Sequence, residues 1–172
     1  MRFGLAIRGQ YAQDQDIRLC FEELIEECVQ AEALGFDSIT KTSHYSTAPF
    51  QAFQQFPLLA RLSAETNRVR LNAGIILLSL HKPLDIAEQL ATIDIMSNGR
   101  VICGVALGYR EVEFAAFGAE VKQRGKRLEE NLIALKRLWT ENTVSMKGSH
   151  FELLEASCPP KPVQKPHPPI WI

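Results

Sequence analysis

Segments typical of strands and of helices alternate four times before residue 141, and this alternation restricts the fold more than any other feature. The strand-like segments are apolar and rich in β-branched residues: Arg2–Ile7, Asp37–Lys41, Val69–Leu78 and Val101–Leu107. The helix-like segments repeat apolar residues at helical spacing: Ile17–Leu34, Phe56–Thr66, the stretch from Pro83 to Gly99, and Arg124–Thr140. Such alternation indicates an α/β fold with a parallel sheet and right-handed crossovers. Periodicity alone is compatible with an open doubly wound sheet and with the first half of an eight-fold barrel.

The pattern changes after the fourth helical segment. Glu141–Phe151 is rich in turn-forming residues and predicts a hairpin around Lys147-Gly148. Cys158–Pro169 holds six prolines in twelve residues, which excludes regular structure. Ile170-Trp171-Ile172 begins another apolar run that is shorter than an average strand of about five residues. We therefore expect one partial domain over 1–172, of about four β/α units plus the start of strand five, with 141–169 as an excursion and Pro-rich connection.

The composition argues against several classes of partner. The net charge of −1, from 19 basic and 20 acidic residues, gives no electrostatic basis for binding nucleic acid or an anionic membrane. The longest apolar run, Ala73–Leu80, is far too short to span a bilayer, and the first apolar stretch is too short for a signal peptide. The four cysteines match no zinc framework and are expected to be reduced core residues. We expect a cytoplasmic protein without a metal site.

Candidate catalytic side chains follow the strand-like segments, because parallel α/β sheets form their sites at the carboxyl ends of the strands. His44 comes directly after the second strand and is a candidate general acid or base, although a loop histidine that bonds backbone groups would occupy the same position. His81 is expected to shape the start of the third helix. Glu111 and Glu113 fall at the start of a probable short helix, where acidic residues favour the helix dipole. We expect them to be helix caps.

Glycines in the third and fourth strands permit close approach of another group to the backbone. Gly104 and Gly108 have the wrong spacing, and lie in the wrong unit, for a dinucleotide-binding fingerprint. Inside a barrel, the approaching group would be a flat cofactor over the strand ends. Tight strand packing explains Gly74 and Gly104 equally well at this stage.

Several motifs follow one another in an order that resembles the luciferase-like flavin monooxygenases over nearly the whole chain. They are Gly35-Phe36-Asp37 leading to Ser43-His44-Tyr45, Gly74 through His81-Lys82-Pro83, Met96-Ser97-Asn98-Gly99-Arg100 running into Gly104–Tyr109, Glu113–Gly118, Arg124, Glu130, Leu138-Trp139, and the closing Pro160–Ile172. The S-x-G-R element and the Pro-rich lead into strand five are specific in combination. The resemblance implies a (β/α)8 TIM barrel of which this chain is the N-terminal half, cut before the barrel closes.

The resemblance also implies site residues. His44 falls on the active-site histidine of the luciferase α subunits. Ala73, Gly74 and Ile75 match the part of strand three that supports the isoalloxazine ring, which in many relatives includes a cis peptide bond between non-proline residues. The backbone of Ala106, Leu107, Gly108 and Tyr109 is expected to contact the cofactor at the end of strand four.

Two positions depart from the family pattern. Ser43 replaces an acidic residue that precedes the histidine in many relatives, which weakens the expectation of a carboxylate that orients His44. Ala106 stands where luciferase α subunits have cysteine, so no reactive thiol is expected beside the flavin.

The function implied by the resemblance is an oxidoreductase, in first place a monooxygenase that uses reduced FMN and O2 on a small organic substrate. A separate flavin reductase is the expected source of the reduced cofactor, and a homo-oligomer is the expected assembly of the full-length protein. Two alternatives remain open: hydride transfer with the deazaflavin F420, and a non-catalytic luciferase-like subunit. The residues that bind the cofactor phosphate are expected in loops after strands that follow Ile172, a placement common in such barrels.

Overall fold

A computed structural model of the protein describes all 172 residues and shows an α/β fold built on a parallel sheet. The elements in chain order are β1 (Gly4–Ala6), α1 (Ile17–Ala33), β2 (Ser38–Lys41), α2 (Gln55–Glu65), β3 (Arg70–Leu77), α3 (Pro83–Met96), β4 (Val101–Ala106), α4 (Glu111–Ala116), α5 (Arg124–Thr140), β5 (Val144–Lys147), β6 (Glu152–Ala156) and β7 (Ile170–Trp171). Short 3-10 turns at Leu78–Leu80 and Val121–Gln123 precede α3 and α5. No helix combines the length and the apolar character that a membrane span requires.

The order of the strands decides between the two architectures that the periodicity left open. The five-stranded sheet runs β1-β2-β3-β4-β7, every pair is parallel, and the order never reverses. A doubly wound sheet reverses its strand order at a switch point and carries helices on both faces. Here the order follows the sequence, as in a (β/α)8 barrel.

The two faces of the sheet also indicate a barrel, because only one of them packs against helices. One face packs against the helices through a core cluster that includes Ile39, Leu71, Val101 and Cys103, all essentially inaccessible to solvent. The other face carries smaller and more polar side chains and lines a cleft of about 670 Å³. Residues of that face include Gly4, Ala6, Ser38, Thr40 and Ile102. With helices on one side only, the chain has the layering of half a barrel.

The strands are one to three residues shorter than the apolar runs that predicted them. The difference is greatest for β1, which is Gly4–Ala6 rather than Arg2–Ile7, because it has a pairing partner on one side only. Helix α1 begins and ends where local signals place it. The Asp16 side chain accepts a hydrogen bond from Arg18 N (2.9 Å) at the start of α1, and Gly35 follows that helix with a φ of 91°.

The S-x-G-R element is a structural joint at the amino ends of the strands. Arg100 donates from Nε to Ser97 O (2.7 Å) and from Nη2 to Ser63 O (2.9 Å) and Thr66 O (2.8 Å). Its Nη1 donates to Thr66 Oγ1 (2.8 Å) and Val69 O (3.0 Å). One guanidinium therefore ties the end of α2 and the end of α3 to the start of β3.

The segment after α5 contains the predicted hairpin and then an irregular connection. β5 and β6 pair antiparallel, and Glu130 of α5 accepts from both Ser149 N (2.7 Å) and Ser149 Oγ (2.6 Å) in the hairpin loop. Gln164 holds the Pro-rich connection by donating from its side chain to the buried Asp94 (2.8 Å). β7 then adds to β4 in parallel, as expected for the start of strand five. All four cysteines are buried and free, which confirms their prediction as core residues.

Candidate functional site

The candidate site lies where the carboxyl ends of β2, β3 and β4 meet. His44 follows β2, and its ring lies edge-on to the ring of Tyr109, which follows β4, at a centroid distance of 6.3 Å and an angle of 81°. Tyr109 is 70% exposed, whereas the His44 side chain is 30% exposed. The two rings stand between two clefts, and both clefts are lined by His44 and Tyr109.

A buried carboxylate orients His44. Glu113 Oε1 lies 2.9 Å from His44 Nδ1 and accepts hydrogen bonds from Tyr45 N (2.9 Å) and Arg110 Nη1 (3.2 Å). The Glu113 side chain is fully buried. Because a carboxylate accepts, neutral His44 carries its proton on Nδ1 and leaves Nε2 with a free lone pair for the clefts.

This contact corrects two expectations. Glu113 does not act as a cap of α4; its side chain turns away from its own helix to the loop that follows β2. The carboxylate that Ser43 fails to provide next to the histidine comes instead from α4, 69 residues further along the chain. Glu111, by contrast, is exposed in the first turn of α4, where its charge favours the helix dipole as expected.

Arg110 fixes the same loop from the other side. Its guanidinium donates to Tyr45 O (2.9 Å) and Ser46 O (3.2 Å) in addition to Glu113. Ser46 has a φ of 48°, in the left-handed region.

The Glu113 Oε2 atom is buried and has no hydrogen-bond partner. Arg110 directly precedes α4, and Glu113 follows it by three residues in the first turn; this spacing is the one signal in the sequence that would have linked these two residues.

The first cleft is apolar and has a volume of about 470 Å³. Its walls are mainly aliphatic side chains and strand-end backbone from β3 and β4, among them Ile75, Leu77, Val105, Ala106, Leu107 and Gly108. Ile75 is 40% exposed and faces this cleft, and the Gly74–Ile75 peptide bond is cis, as the family resemblance implied. A flat, largely apolar ring system fits such walls.

Two of the predicted cofactor contacts have a different environment. The Ala73 side chain is fully buried in the core on the helix side of the sheet, so it does not line the cleft. A Cβ on Gly74 would meet Asn72 Nδ2 at 2.6 Å, and one on Gly104 would meet Ala73 O at 2.9 Å. Of the two explanations for these glycines, the structure shows tight packing within and between strands. Ile75, Ala106, Leu107, Gly108 and Tyr109 do line the cleft.

The second cleft is polar and has a volume of about 430 Å³. It lies between the loops that follow β1 and β2, and its lining includes Gly9, Gln10, Thr47 and Arg110. It shares Thr42, His44 and Tyr109 with the apolar cleft. His44 is therefore positioned to reach a group in either cleft.

An inner layer of contacts supports the strand ends. Tyr45 Oη lies 3.0 Å from His81 Nε2, and burial lowers the pKa of His81, an effect that Asp85 partly opposes. His81 lies just before α3, and its carbonyl accepts a hydrogen bond from Asn131 of α5 (3.1 Å). This contact agrees with the expected role of His81 in shaping the start of α3. Ser79 Oγ donates to Leu107 O (2.5 Å), which joins the turn after β3 to the end of β4.

Comparison with known proteins decides the family of the chain. The family model for luciferase-like monooxygenases matches residues 1–172. The chain belongs to this family. It is 31% identical, over its whole length, to the oxygenase component of a flavin-dependent trigonelline monooxygenase from Acinetobacter baylyi, of which it covers 48%. Over 83% of its length it is 33% identical to an F420-dependent glucose-6-phosphate dehydrogenase from Amycolatopsis mediterranei, of which it covers 45%.

Solved structures of this family share the fold. The crystal structure of the monooxygenase RslO1 from Streptomyces bottropensis superposes with a TM-score of 0.90 at 30% identity, over 99% of this chain and 52% of that one. An F420-dependent secondary alcohol dehydrogenase superposes with a TM-score of 0.82 at 23% identity, over 98% of this chain and 51% of that one. The chain thus spans about half the length of the relatives it matches. Its relatives include flavin-dependent and F420-dependent oxidoreductases.

Proposed function

We propose that this chain forms one side of the active site of a flavin-dependent monooxygenase, which uses reduced FMN and O2 to oxidise a small organic substrate. The observation that carries the proposal is the placement of His44. A buried carboxylate fixes its Nδ1, and its ring stands between an apolar and a polar cleft at the carboxyl ends of the strands. Catalytic groups of (β/α)8 enzymes occupy this end of the barrel.

The apolar cleft suits the flavin ring. Ile75, Leu107 and Gly108 would contact the isoalloxazine, and Tyr109 would cover one edge of it. When bound, reduced FMN supplies the electrons that activate O2. The aliphatic walls exclude water from the ring, which in such sites suppresses hydrolytic and proton-leak side reactions.

Three residues of the chain would carry out and position the proton transfer. His44 lines both clefts, and its Nε2 would accept a proton from, or return one to, a group bound in either of them. Glu113 keeps the Nδ1–H tautomer and stabilises the imidazolium when His44 is protonated. Arg110 is a positioning residue, because it acts on Glu113 and on the loop that carries His44.

We propose that a separate reductase supplies the reduced FMN, which is supported by the description of the trigonelline-acting relative as an oxygenase component. The F420-dependent relatives support a second candidate, O2-independent hydride transfer with F420. The same histidine between two clefts would serve that reaction by moving the substrate proton.

Binding and turnover measurements separate these functions. The purified full-length protein, which includes the strands expected to hold the cofactor phosphate, is titrated anaerobically with FMNH2 and with reduced F420, and each complex is then exposed to O2. FMN binding followed by O2 uptake supports the monooxygenase, whereas F420 binding without O2 uptake supports hydride transfer. Binding of neither cofactor would contradict both and favour a non-catalytic subunit. His44→Ala should retain FMN binding and lose most substrate oxidation, with Glu111→Gln as the control.

A further inference from the structure

We propose that the polar cleft binds the substrate of this protein, and that it selects an uncharged hydrogen-bonding group carried on a flat apolar body. A neutral amide, ketone or phenol is the chemical class that fits. The inference rests on the proposed function, since it assigns the substrate to the cleft that shares His44 with the flavin side.

The first argument is the hydrogen-bonding capacity of the lining. The Gln10 carboxamide and the Thr42 hydroxyl line the cleft and have no partner within the chain. Thr47 Oγ1 donates to Phe50 O (2.9 Å), so its proton is used and its lone pairs remain available. The cleft therefore offers both donors and acceptors, as recognition of a neutral polar group requires.

The second argument is charge. Arg110 is the one permanently cationic residue that lines the cleft, and no acidic residue lines it. The Arg110 guanidinium already donates to Tyr45 O, Ser46 O and the buried Glu113 carboxylate. The Glu113 carboxylate compensates the charge of Arg110 (3.2 Å), so with neutral His44 the lining offers no uncompensated counter-charge to an anionic or a cationic group. Moving an ionic group from water into the cleft costs part of its hydration with no counter-charge to offset the loss, so a neutral group is preferred.

The third argument is the shape of the walls. Two aromatic rings flank the cleft: Phe50 is 48% exposed and Tyr109 is 70% exposed. Gly9 leaves the Thr42 hydroxyl accessible, because a Cβ at residue 9 would lie 3.0 Å from Thr42 Oγ1. Exposed aromatic faces with an accessible hydroxyl between them suit a planar molecule with one polar substituent.

The fourth argument is preorganisation. The loops after β1 and β2 are joined by a backbone bridge between Tyr11 and Gln51, with both N–H to O distances at 2.9 Å. The Gln51 side chain adds hydrogen bonds to Ala12 O (3.0 Å) and Gln15 O (3.1 Å). Two loops from different units thus form one wall, and little ordering remains to be done when a ligand binds.

The test compares two probes of equal shape, benzamide and benzoate, on the FMN-loaded full-length protein by calorimetry or saturation-transfer NMR. We expect benzamide to bind at least tenfold more tightly than benzoate. Gln10→Leu and Gly9→Ala change residues that line the polar cleft only, and each should weaken benzamide about 3- to 10-fold, the effect of one lost hydrogen bond. The matched controls are Gln30→Leu on the exposed side of α1 and Gly125→Ala in open space on α5.

Each outcome bears on the proposal. Equal or tighter binding of benzoate, benzamide affinity unchanged in both cleft variants, or binding of neither probe would overturn it. FMN affinity should stay within twofold in Gln10→Leu. If the protein binds no flavin but still binds benzamide in a Gln10-dependent manner, the proposed function fails and the neutral-ligand cleft stands.

Discussion

Replacement of Arg100 by lysine is a direct test of the joint at the amino ends of the strands. Arg100 makes five hydrogen bonds from three nitrogens to acceptors on α2, α3 and the start of β3. A lysine ammonium has three N–H groups at a single point, so at least two of these acceptors lose their donor. The acceptors belong to buried residues, among them Thr66 and Val69. Each bond from a charged donor contributes about 1.5 kcal/mol or more, which gives a loss of about 3 kcal/mol in Arg100→Lys.

The assay is urea unfolding followed by circular dichroism, with thermal melting alongside. A loss of about 3 kcal/mol corresponds to a drop in Tm of about 10 °C for a chain of this size. Arg61→Lys is the matched control: Arg61 pairs with Glu65 on the exposed side of α2 (2.7 Å), and we expect a change within about 0.5 kcal/mol. A loss below about 1 kcal/mol in Arg100→Lys would refute the assignment of this arginine as a joint.

Three further substitutions test other parts of the structure. Glu32 accepts from the amides of Asn67, Arg68 and Val69; burial opposes its ionisation, but these hydrogen bonds hold its pKa below the usual range. Glu32→Gln should therefore cost about 1 kcal/mol in urea unfolding at pH 7, and the difference should shrink as the pH falls below about 4. Lys41 is 1% exposed, and burial lowers its pKa. Lys41→Met should therefore stabilise the fold by about 1–2 kcal/mol at pH 7. This gain should diminish as the pH rises towards 10, where the lysine loses its charge. An equal or larger cost of Glu32→Gln at pH 3, or a destabilised Lys41→Met, would contradict these assignments. Glu113→Gln should lower kcat at least tenfold with FMN affinity retained, whereas an equal effect of Glu111→Gln would exclude a specific role of the buried carboxylate.

The order of strands and helices was predictable because each apolar period reports one element. The choice between a doubly wound sheet and a barrel was not predictable from periodicity. A strand such as β3 has buried residues on both faces in either architecture, whether helices or a barrel interior cover the second face. What decides is the order of strands in space, together with small residues such as Ala6 and Thr40 on the face without helices. Both depend on contacts between distant parts of the chain.

The sequence alone identified one member of the candidate site, His44, but not the other, Glu113. The placement of His44 was predictable from its position after β2, since the carboxyl ends of parallel strands converge, whereas its proposed catalytic role rests on the family resemblance and on the contact with Glu113. Glu113 could not be identified in the same way, because an acidic residue in the first turn of a helix has a sufficient local explanation. Its contact with His44 exists only because α4 folds back over the loop after β2. For Gly74 and Gly104 the sequence left a functional and a packing explanation open, and the close contacts that a Cβ would make become visible only in the structure.

The stabilising contacts and the proposed active site lie at opposite ends of this sheet. Arg100 and Glu32 make their contacts at the amino ends of the strands, whereas His44 and Glu113 lie at the carboxyl ends. Variants at one end should therefore leave the other end intact. Under conditions where it remains folded, Arg100→Lys should bind FMN with unchanged affinity and keep its kcat. Glu113→Gln should instead lose kcat, and its effect on the pH profile of turnover should be absent from Arg100→Lys. A parallel loss of kcat in both variants would show that the two ends of the sheet are coupled, and that His44 depends on the integrity of the whole sheet rather than on the contact with Glu113.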